Sequence, residues 1–404
     1  MSTNNNPYFC VLPWIHMHIW PSGVTFPCCL ATDDYQLGNT NNSSFLELWN
    51  SEKMRLLRRN MVNKKPTNGC ARCYEHEANN AKSMRMNLNS DFLHHHDRIN
   101  LTNEDGSLDE VFMAYMDIRF SNICNFKCRS CGPDLSSFWV DDGIKLNRYS
   151  PDAPKILKIK NTLDELWEDI EQWIDTVEKI YFAGGEPLIM DEHYKILEYL
   201  IKIGKTDIPI TYNTNLSKLT YKNKNVIALW KHFSNIRVSA SLDGMGARAE
   251  VIRKGTVWAD IEKNRRMLLE ELPNLNFEIN PTMSVYNVEH CIDFFNDWIE
   301  KGYVTPLQIS CNVLLFPEFL RFQILPETDR MRIKEKYIKF VSDNNIKMLD
   351  KHGYIYGGFM SVITSLDEDR QDLVDDFIAY NNALDHIRQE DLLHTFPELK
   401  VLIK

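Results

Sequence analysis

Three cysteines, Cys124, Cys128 and Cys131, stand in the run Ser121-Asn-Ile-Cys124-Asn-Phe-Lys-Cys128-Arg-Ser-Cys131-Gly-Pro. Thiolates are soft ligands suited to iron–sulfur clusters, zinc or copper(I). At the spacing C-x3-C-x2-C on one loop, three of them can converge on a single centre. An iron–sulfur cluster usually takes four cysteines, so three leave one iron of a [4Fe–4S] cube open to another ligand. A structural zinc wants four closed ligands and fits a triplet less well. Unligated core thiols are the third reading. Five more cysteines (10, 28, 29, 70 and 73) crowd the first hundred residues, and Cys291 and Cys311 lie in helical and strand-like stretches where a free thiol acts as a small hydrophobe.

The triplet must be held by something, and the chain around it alternates apolar strands with helices. Candidate strands cover 112–120, 179–182, 208–212, 236–241, 277–282 and 306–311, with helical stretches at 163–177, 192–203, 223–233 and 259–269 between them. Six strands with helical crossovers argue for a parallel sheet covered by helices, and the triplet follows its first strand. Open sheet and partial barrel are not separated by this pattern. Ahead of it, residues 1–100 form a cysteine-rich region. It opens with the alternation Trp14-Ile-His-Met-His-Ile-Trp20 and a Pro-Ser-Gly turn, which predict a β-hairpin, followed by helical spacing over 44–61. Residues 100–109 read as a linker. The region from 326 to 404 is charged and helical and carries no chemical motif, so a structural cap is expected.

Composition bounds the function. The chain has 404 residues, 44% apolar, with a formal net charge of −10, which repels a phosphate backbone and argues against broad nucleic-acid binding. The basic run from Lys53 to Arg59 reads as the solvated face of a helix, or a guide for an acidic partner. No apolar stretch approaches a membrane span, and the start Met-Ser-Thr-Asn-Asn-Asn-Pro lacks a signal peptide's pattern, so a soluble cytoplasmic protein is expected. Ten cysteines in such a setting point to metal or redox chemistry rather than disulfides.

With these residues in view, the chain over 112–325 resembles the radical S-adenosylmethionine (SAM) superfamily. The triplet after the first strand is similar to that family's cluster loop. Ala183-Gly184-Gly185-Glu186-Pro187 after the second strand is similar to its GGEP motif, Asn213-Thr-Asn215 resembles its polar strand end, and Ser241-Leu-Asp-Gly244 is followed twelve residues after the serine by Arg253. The resemblance implies an α/β fold, a partial (β/α)6 TIM-like barrel spanning 111–325. It implies a [4Fe–4S] cluster on Cys124, Cys128 and Cys131, with SAM held through its amino group at Gly184–Pro187 and its carboxylate at Ser241 and Arg253. It further implies reductive cleavage of SAM to a 5′-deoxyadenosyl radical, hydrogen abstraction from a substrate, and an electron donor such as a flavodoxin or ferredoxin. Many relatives carry an aromatic residue just before the third cysteine; this chain has Ser130.

Cys10, the Gly23-x4-Cys28 hairpin and Cys70-x2-Cys73 resemble the SPASM and twitch auxiliary-cluster domains of the same superfamily, although that module normally follows the barrel. The resemblance implies a second [4Fe–4S] cluster on Cys10, Cys28, Cys70 and Cys73, with Cys29 as the alternative to Cys28; ligand type alone leaves zinc open. His16 and His18 read as the polar side of the hairpin, His94-His-His96 as a solvated loop, and Asp117 and Arg119 as candidate substrate contacts inside the barrel. A peptide or protein substrate is favoured, with a sugar, nucleotide or cofactor precursor as the alternative. A zinc-binding interaction protein without activity, and an inactive relative that keeps its cluster, are the competing classes.

Overall fold

The computed structural model describes residues 6–78 and 82–403, so residues 1–5, part of the start read for a targeting signal, lie outside it. The amino-terminal hairpin is real but short. Leu12–Trp14 is a 3-10 turn, and only β1 (His18–Ile19) pairs across the turn at Gly23 with β2 (Val24–Phe26); β3 (Gly38–Asn39) extends β2. Gly23 sits at φ +83°, a conformation only glycine reaches cheaply. Helices α1 (Phe45–Trp49) and α2 (Glu52–Val62) start where side chains satisfy free amides: Ser44 and Glu47 form a capping box and Ser51 caps α2. Met54, Leu57 and Met61 of α2 face the core at helical spacing. Helices α3 (Ala71–Ala78) and α4 (Met84–Asp91) and a 3-10 stretch, Leu93–Leu101, complete this region.

The expected linker is tied down. Gly106 packs against the Arg55 backbone, and Arg55 and Arg59 bind the Asp105 side chain and carbonyl. Arg58 is fully buried and donates to the Pro13 carbonyl at 2.8 Å. Of the basic run only Arg58 is buried; Lys53, Arg55 and Arg59 keep to the surface side of α2.

The barrel follows. After β4 (Tyr115–Ile118) come α5 (Val140–Lys145) and α6 (Leu163–Ile170), then β5 (Lys179–Phe182), α7 (Asp191–Lys202) and β6 (Ile210–Thr214). A small hairpin of β7 (Thr220–Tyr221) and β8 (Lys224–Asn225) leads into α8 (Val226–Trp230) and β9 (Ile236–Ala240). Helices α9 (Gly246–Ile252) and α10 (Trp258–Glu271) precede β10 (Asn276–Ile279). Strands β4, β5, β6, β9 and β10 are parallel neighbours in that order, with Ile180 opposite Ile210, Tyr212 opposite Val238, and Val238 opposite Phe277.

The sixth expected strand is mostly absent. Pro306 cannot donate to a ladder, and Thr305 and Gln308 close a capping box, so 306–308 turns as a 3-10 helix. Only Ile309 bridges to Ile279. Beyond it, β11 (Thr282–Met283) pairs in parallel with β12 (Asn312–Val313), flanking α11 (Cys291–Glu300). The barrel is thus partial.

Strand β1 pairs in parallel with β4, His18 opposite Asp117 and Ile19 opposite Ile118. The amino-terminal region is therefore part of the barrel's own eight-stranded sheet. That explains why both histidines are buried, at 1% and 0% exposure, instead of lining a wet face. The carboxyl-terminal part is helical, as its pattern predicts: α12 (Glu327–Asp343), α13 (Ile346–Leu349), α14 (Tyr354–Ser365), α15 (Val374–Arg388) and α16 (Leu392–Thr395). One apolar core runs from Phe9 to Leu402. Among the described residues no helix is long and apolar enough to cross a membrane.

Candidate active site at the strand ends

The loop after β4 is built from buried polar anchors. The Asn122 side chain, wholly buried, donates to the carbonyls of Pro133 (2.8 Å) and Lys155 (3.2 Å) and accepts from the Leu157 amide (2.9 Å), which folds the loop back on itself. Further along, the amides of Lys127 and Arg129 donate to the carbonyls of Lys254 and Ile252, both at 2.8 Å. The triplet loop and the segment carrying Arg253 are thereby zipped together. Gly255 makes this approach possible: a Cβ there would sit 2.7 Å from the Asn125 carbonyl and 2.8 Å from the Phe126 ring.

These anchors bring most of the predicted residues to one cavity of about 310 Å³. Its wall includes Cys124, Cys128, Cys131, Gly184, Gly185, Glu186, Asn213, Asn215, Ser241 and Arg253. It also includes Ser130, Phe126, Arg119 and Tyr181. Pro187 stands off the wall and opens the 3-10 turn 187–189. The two glycines have a plain steric reason. Both have positive φ, and a Cβ on Gly185 would strike the Ile123 carbonyl, which already accepts the Glu186 amide at 2.8 Å.

Glu186 is 1% exposed. One carboxylate oxygen accepts from the Thr214 hydroxyl (2.7 Å) and the Leu188 amide (3.1 Å), the other from the Asn215 amide (2.7 Å). Burial, only partly offset by these donors, pushes its carboxyl up to about 7. Asn213 donates to the Tyr181 hydroxyl at 2.5 Å and Asn215 to Asn125 at 3.0 Å, so both carry strand-end bonds. Arg253 pairs with Asp243 at 2.7 Å and extends Nη1 to within 3.8 Å of the Cys128 sulfur.

Burial pushes all three thiols up, Cys131 to about 12; next, Cys124 and Cys131 are raised by the neighbouring Cys128, whereas Arg253 holds Cys128 back. Buried thiolates of this kind need a cation to neutralise them, which is what a metal centre supplies. Among the described residues no three cysteine sulfurs lie mutually within 4.8 Å. A tetrahedral zinc with Zn–S near 2.3 Å would hold its sulfurs about 3.8 Å apart, so the donor set suits a larger group.

The amino-terminal thiols also gather. Cys10 feels Cys70 and Cys73, Cys28 feels Cys10 and Cys70, and burial is the largest influence on both. The thiol of Cys29 is pushed up to about 11 by burial, and beyond that it answers chiefly to Asp117 and Arg119. It lies 3.8 Å from the Met84 sulfur. All ten cysteines are free thiols.

Several residues that hold this site have no local signature. Arg129, between the second and third cysteines, is fully buried and points away into the carboxyl-terminal helices. It binds Asn381 (2.9 Å), Glu390 (2.7 Å) and Asp385, and its carbonyl accepts from the Tyr380 hydroxyl at 2.6 Å. Arg388 of α15 pairs with Asp142 (2.8 Å), which also holds Lys127 at 3.0 Å. The expected cap is thus a clamp on the triplet loop. His94 and His95 stand in the 3-10 stretch rather than in a loop, His94 still exposed, and their Nε2 atoms bind the two oxygens of Glu178 at 2.7 and 2.8 Å. Asp117 is held by His18 Nδ1 at 3.0 Å, beneath the cavity rather than on its wall.

Comparison with known proteins agrees with this geometry. A family model described as the radical SAM superfamily matches residues 118–297, and one described as the SPASM iron–sulfur cluster-binding domain matches residues 10–74. A GTP 3′,8-cyclase from Campylobacter lari is 28% identical over 166 residues, 41% of this chain and 44% of that protein, so the chain spans less than half of this relative. Among solved structures, anSMEcpe with bound AdoMet and the Cp18Cys peptide overlaps 55% of this chain and 59% of its own at 16% identity and a TM-score of 0.38. Streptococcus suis SuiB bound to S-adenosylmethionine overlaps 82% and 69% at 14% identity and a TM-score of 0.37. The chain thus carries a radical SAM domain over residues 118–297, preceded by a SPASM domain over residues 10–74.

Proposed function

We propose that this enzyme cleaves SAM reductively at a [4Fe–4S] cluster held by Cys124, Cys128 and Cys131, and that the resulting 5′-deoxyadenosyl radical takes a hydrogen atom from the substrate. The observation that carries this reading is the convergence of the triplet, Gly184–Glu186, Ser241 and Arg253 on one cavity. A cluster bound there supplies one low-potential electron and an open iron for the amino acid end of SAM.

The chain's own residues do the rest. Glu186 keeps one lone pair on its Asn215-bound oxygen for the SAM ammonium. Arg253, oriented by Asp243, presents its fork to the carboxylate beside Ser241. Gly184 and Gly185 let the backbone come close. Arg129 and its partners hold the triplet loop against α15. Cys10, Cys28, Cys70 and Cys73 hold an auxiliary cluster, with Cys29 left as a free thiol facing the barrel.

We read the substrate as a peptide or protein. The exposed pair Leu315 and Phe316 (65% and 71%) follows directly on Leu314 of the cavity wall, and an apolar rim suits a chain laid across the mouth. A nucleotide is the second reading, favoured by the likeness to a GTP 3′,8-cyclase. The electron comes from an external donor, for which a flavodoxin or ferredoxin fits. Ten free cysteines suit the reducing cytoplasm.

The deciding experiment is anaerobic purification and reconstitution, with iron counted and 5′-deoxyadenosine measured on reduction in the presence of SAM. About eight irons and nucleoside release are expected, falling to about four irons and no release in a Cys124/Cys128/Cys131→Ala variant. Bound zinc, no iron and no nucleoside would overturn the reading.

A further inference from the structure

We propose that Arg119 is the anchor for a substrate oxyanion, a carboxylate or a phosphate, at the junction between the SAM cavity and the amino-terminal cysteines. The inference rests on the radical SAM reading above and extends it to the substrate.

Arg119 immediately follows β4 and lines the cavity. Its stem lies across Gly184: a Cβ on that glycine would meet the Arg119 Cβ, Cγ and Cδ at 2.5, 3.0 and 3.2 Å. The guanidinium carbon stands 4.5 Å from the centre of the Trp20 ring, just after β1. Its charge also acts on the Cys29 thiol, holding it lower than burial alone would. One side chain thus spans from the predicted SAM-binding glycines to Trp20 of the amino-terminal hairpin.

Its hydrogen-bonding capacity is unspent. Among the described residues no group accepts a hydrogen bond from the guanidinium, and its Nε is buried without a partner. The nearest carboxylate oxygen, on Asp117, is 3.9 Å from Nε, beyond hydrogen-bond range, and the other oxygen of Asp117 is engaged by His18. An arginine is always charged and carries five donors in a planar fork. Leaving such a group mostly desolvated with no acceptor is costly, and the fork matches a carboxylate or phosphate bidentately.

The other arginine on the cavity wall is already committed: Arg253 pairs with Asp243 and reaches the Cys128 sulfur. Arg119, by contrast, has only the 3.9 Å ion pair to Asp117 and, among the described residues, no hydrogen-bond acceptor for its fork. Tyr181 and Asn213, which share the wall and are bonded to each other, offer polar atoms beside the same space.

The test uses the reconstituted protein with SAM bound. Binding is measured by titration calorimetry for four probes: a short peptide with a free carboxyl-terminal carboxylate, the same peptide amidated, a nucleoside 5′-monophosphate, and the free nucleoside. The proposal expects at least one anionic probe to bind more tightly than its neutral partner, and which one identifies carboxylate or phosphate. Arg119→Met should weaken that probe by about tenfold or more. Arg119→Lys, which keeps charge and stem but loses the fork, should fall between, and both variants should keep SAM affinity and iron content within about twofold.

Equal binding of the anionic and neutral probes, or equal affinity in wild type and Arg119→Met, overturns the proposal. So does a loss in Arg119→Met that is matched by lost SAM affinity, since Arg119 would then serve the cofactor. Failure of the wild type to hold iron or SAM would instead bring down the functional reading, and the two failures are told apart in one preparation.

Discussion

Replacing Arg129 with methionine removes the guanidinium that links the triplet loop to the carboxyl-terminal helices while keeping an apolar stem of similar length. Asp385 and Glu390, 18% and 9% exposed at their side chains, lose their shared cation. Breaking a buried pair from one side costs about 3–5 kcal/mol. The lower end applies, because Glu390 keeps Lys254 at 2.6 Å and Asp385 keeps the Leu392 amide at 2.7 Å. A loss of about 3 kcal/mol is a factor of about 100 in a local opening equilibrium. Hydrogen exchange followed by mass spectrometry should then show amides of α15 and of residues 124–136 exchanging about 100-fold faster, together, with α7 unchanged. Iron should also leave faster under a chelator. Unchanged exchange, or equal acceleration in α7, would refute the clamp and reduce Arg129 to ordinary global stability. Adding Asp385→Asn and Glu390→Gln to Arg129→Met should recover part of the loss, since the stranded charges are then gone.

Cys28→Ala should strip the auxiliary iron, about four atoms, whereas Cys29→Ala should retain it; metal analysis after reconstitution decides, and the reverse result would exchange their roles. The Glu186 carboxyl, pushed up to about 7 by burial, ionises as pH rises, and only the carboxylate attracts an ammonium. SAM should thus bind about tenfold more weakly at pH 6 than at pH 8, and Glu186→Gln should bind weakly with that carboxylate-dependent slope gone. Gly255→Ala forces a Cβ onto the Asn125 carbonyl at φ +115°, and should cost about 1–3 kcal/mol in urea unfolding.

The parallel strands were legible because they are short apolar runs separated by helical spacing, and β5 coincides with its predicted range; that they curve into a partial barrel came from the resemblance, not from the pattern. Pro306 marks where that logic fails: an apolar run with a proline and a capping pair turns instead of pairing. Alternation misled at His16 and His18, because a period of two says that faces differ, not that one of them is wet. Both faces of β1 are covered, and one ring nitrogen of each histidine finds a partner inside: His16 Nδ1 on the Tyr115 carbonyl, His18 Nδ1 on Asp117. The site glycines, Ser241 and Arg253 came into view through the resemblance of their motifs to the superfamily's, and they meet at one cavity. The partners of Arg129 lie 252 to 261 residues away, a separation no local pattern bridges. They lie in a region that reads only as a charged, helical structural cap.

The parallel seam between β1 and β4 has a consequence for anyone who would divide the chain. The last strand on that side of the sheet is β3, Gly38–Asn39, whose two residues offer little to a neighbouring chain. A fragment starting near residue 111 would instead end in a bare β4 edge, with the burial of Asp117 and the Trp20 cover over Arg119 both lost. An uncovered strand edge recruits other strands. Such a fragment would tend to self-associate, and its poor behaviour would say nothing about the cluster loop it carries. The amino-terminal region is less an attachment than the barrel's selvedge, and the smallest unit worth expressing begins before Cys10.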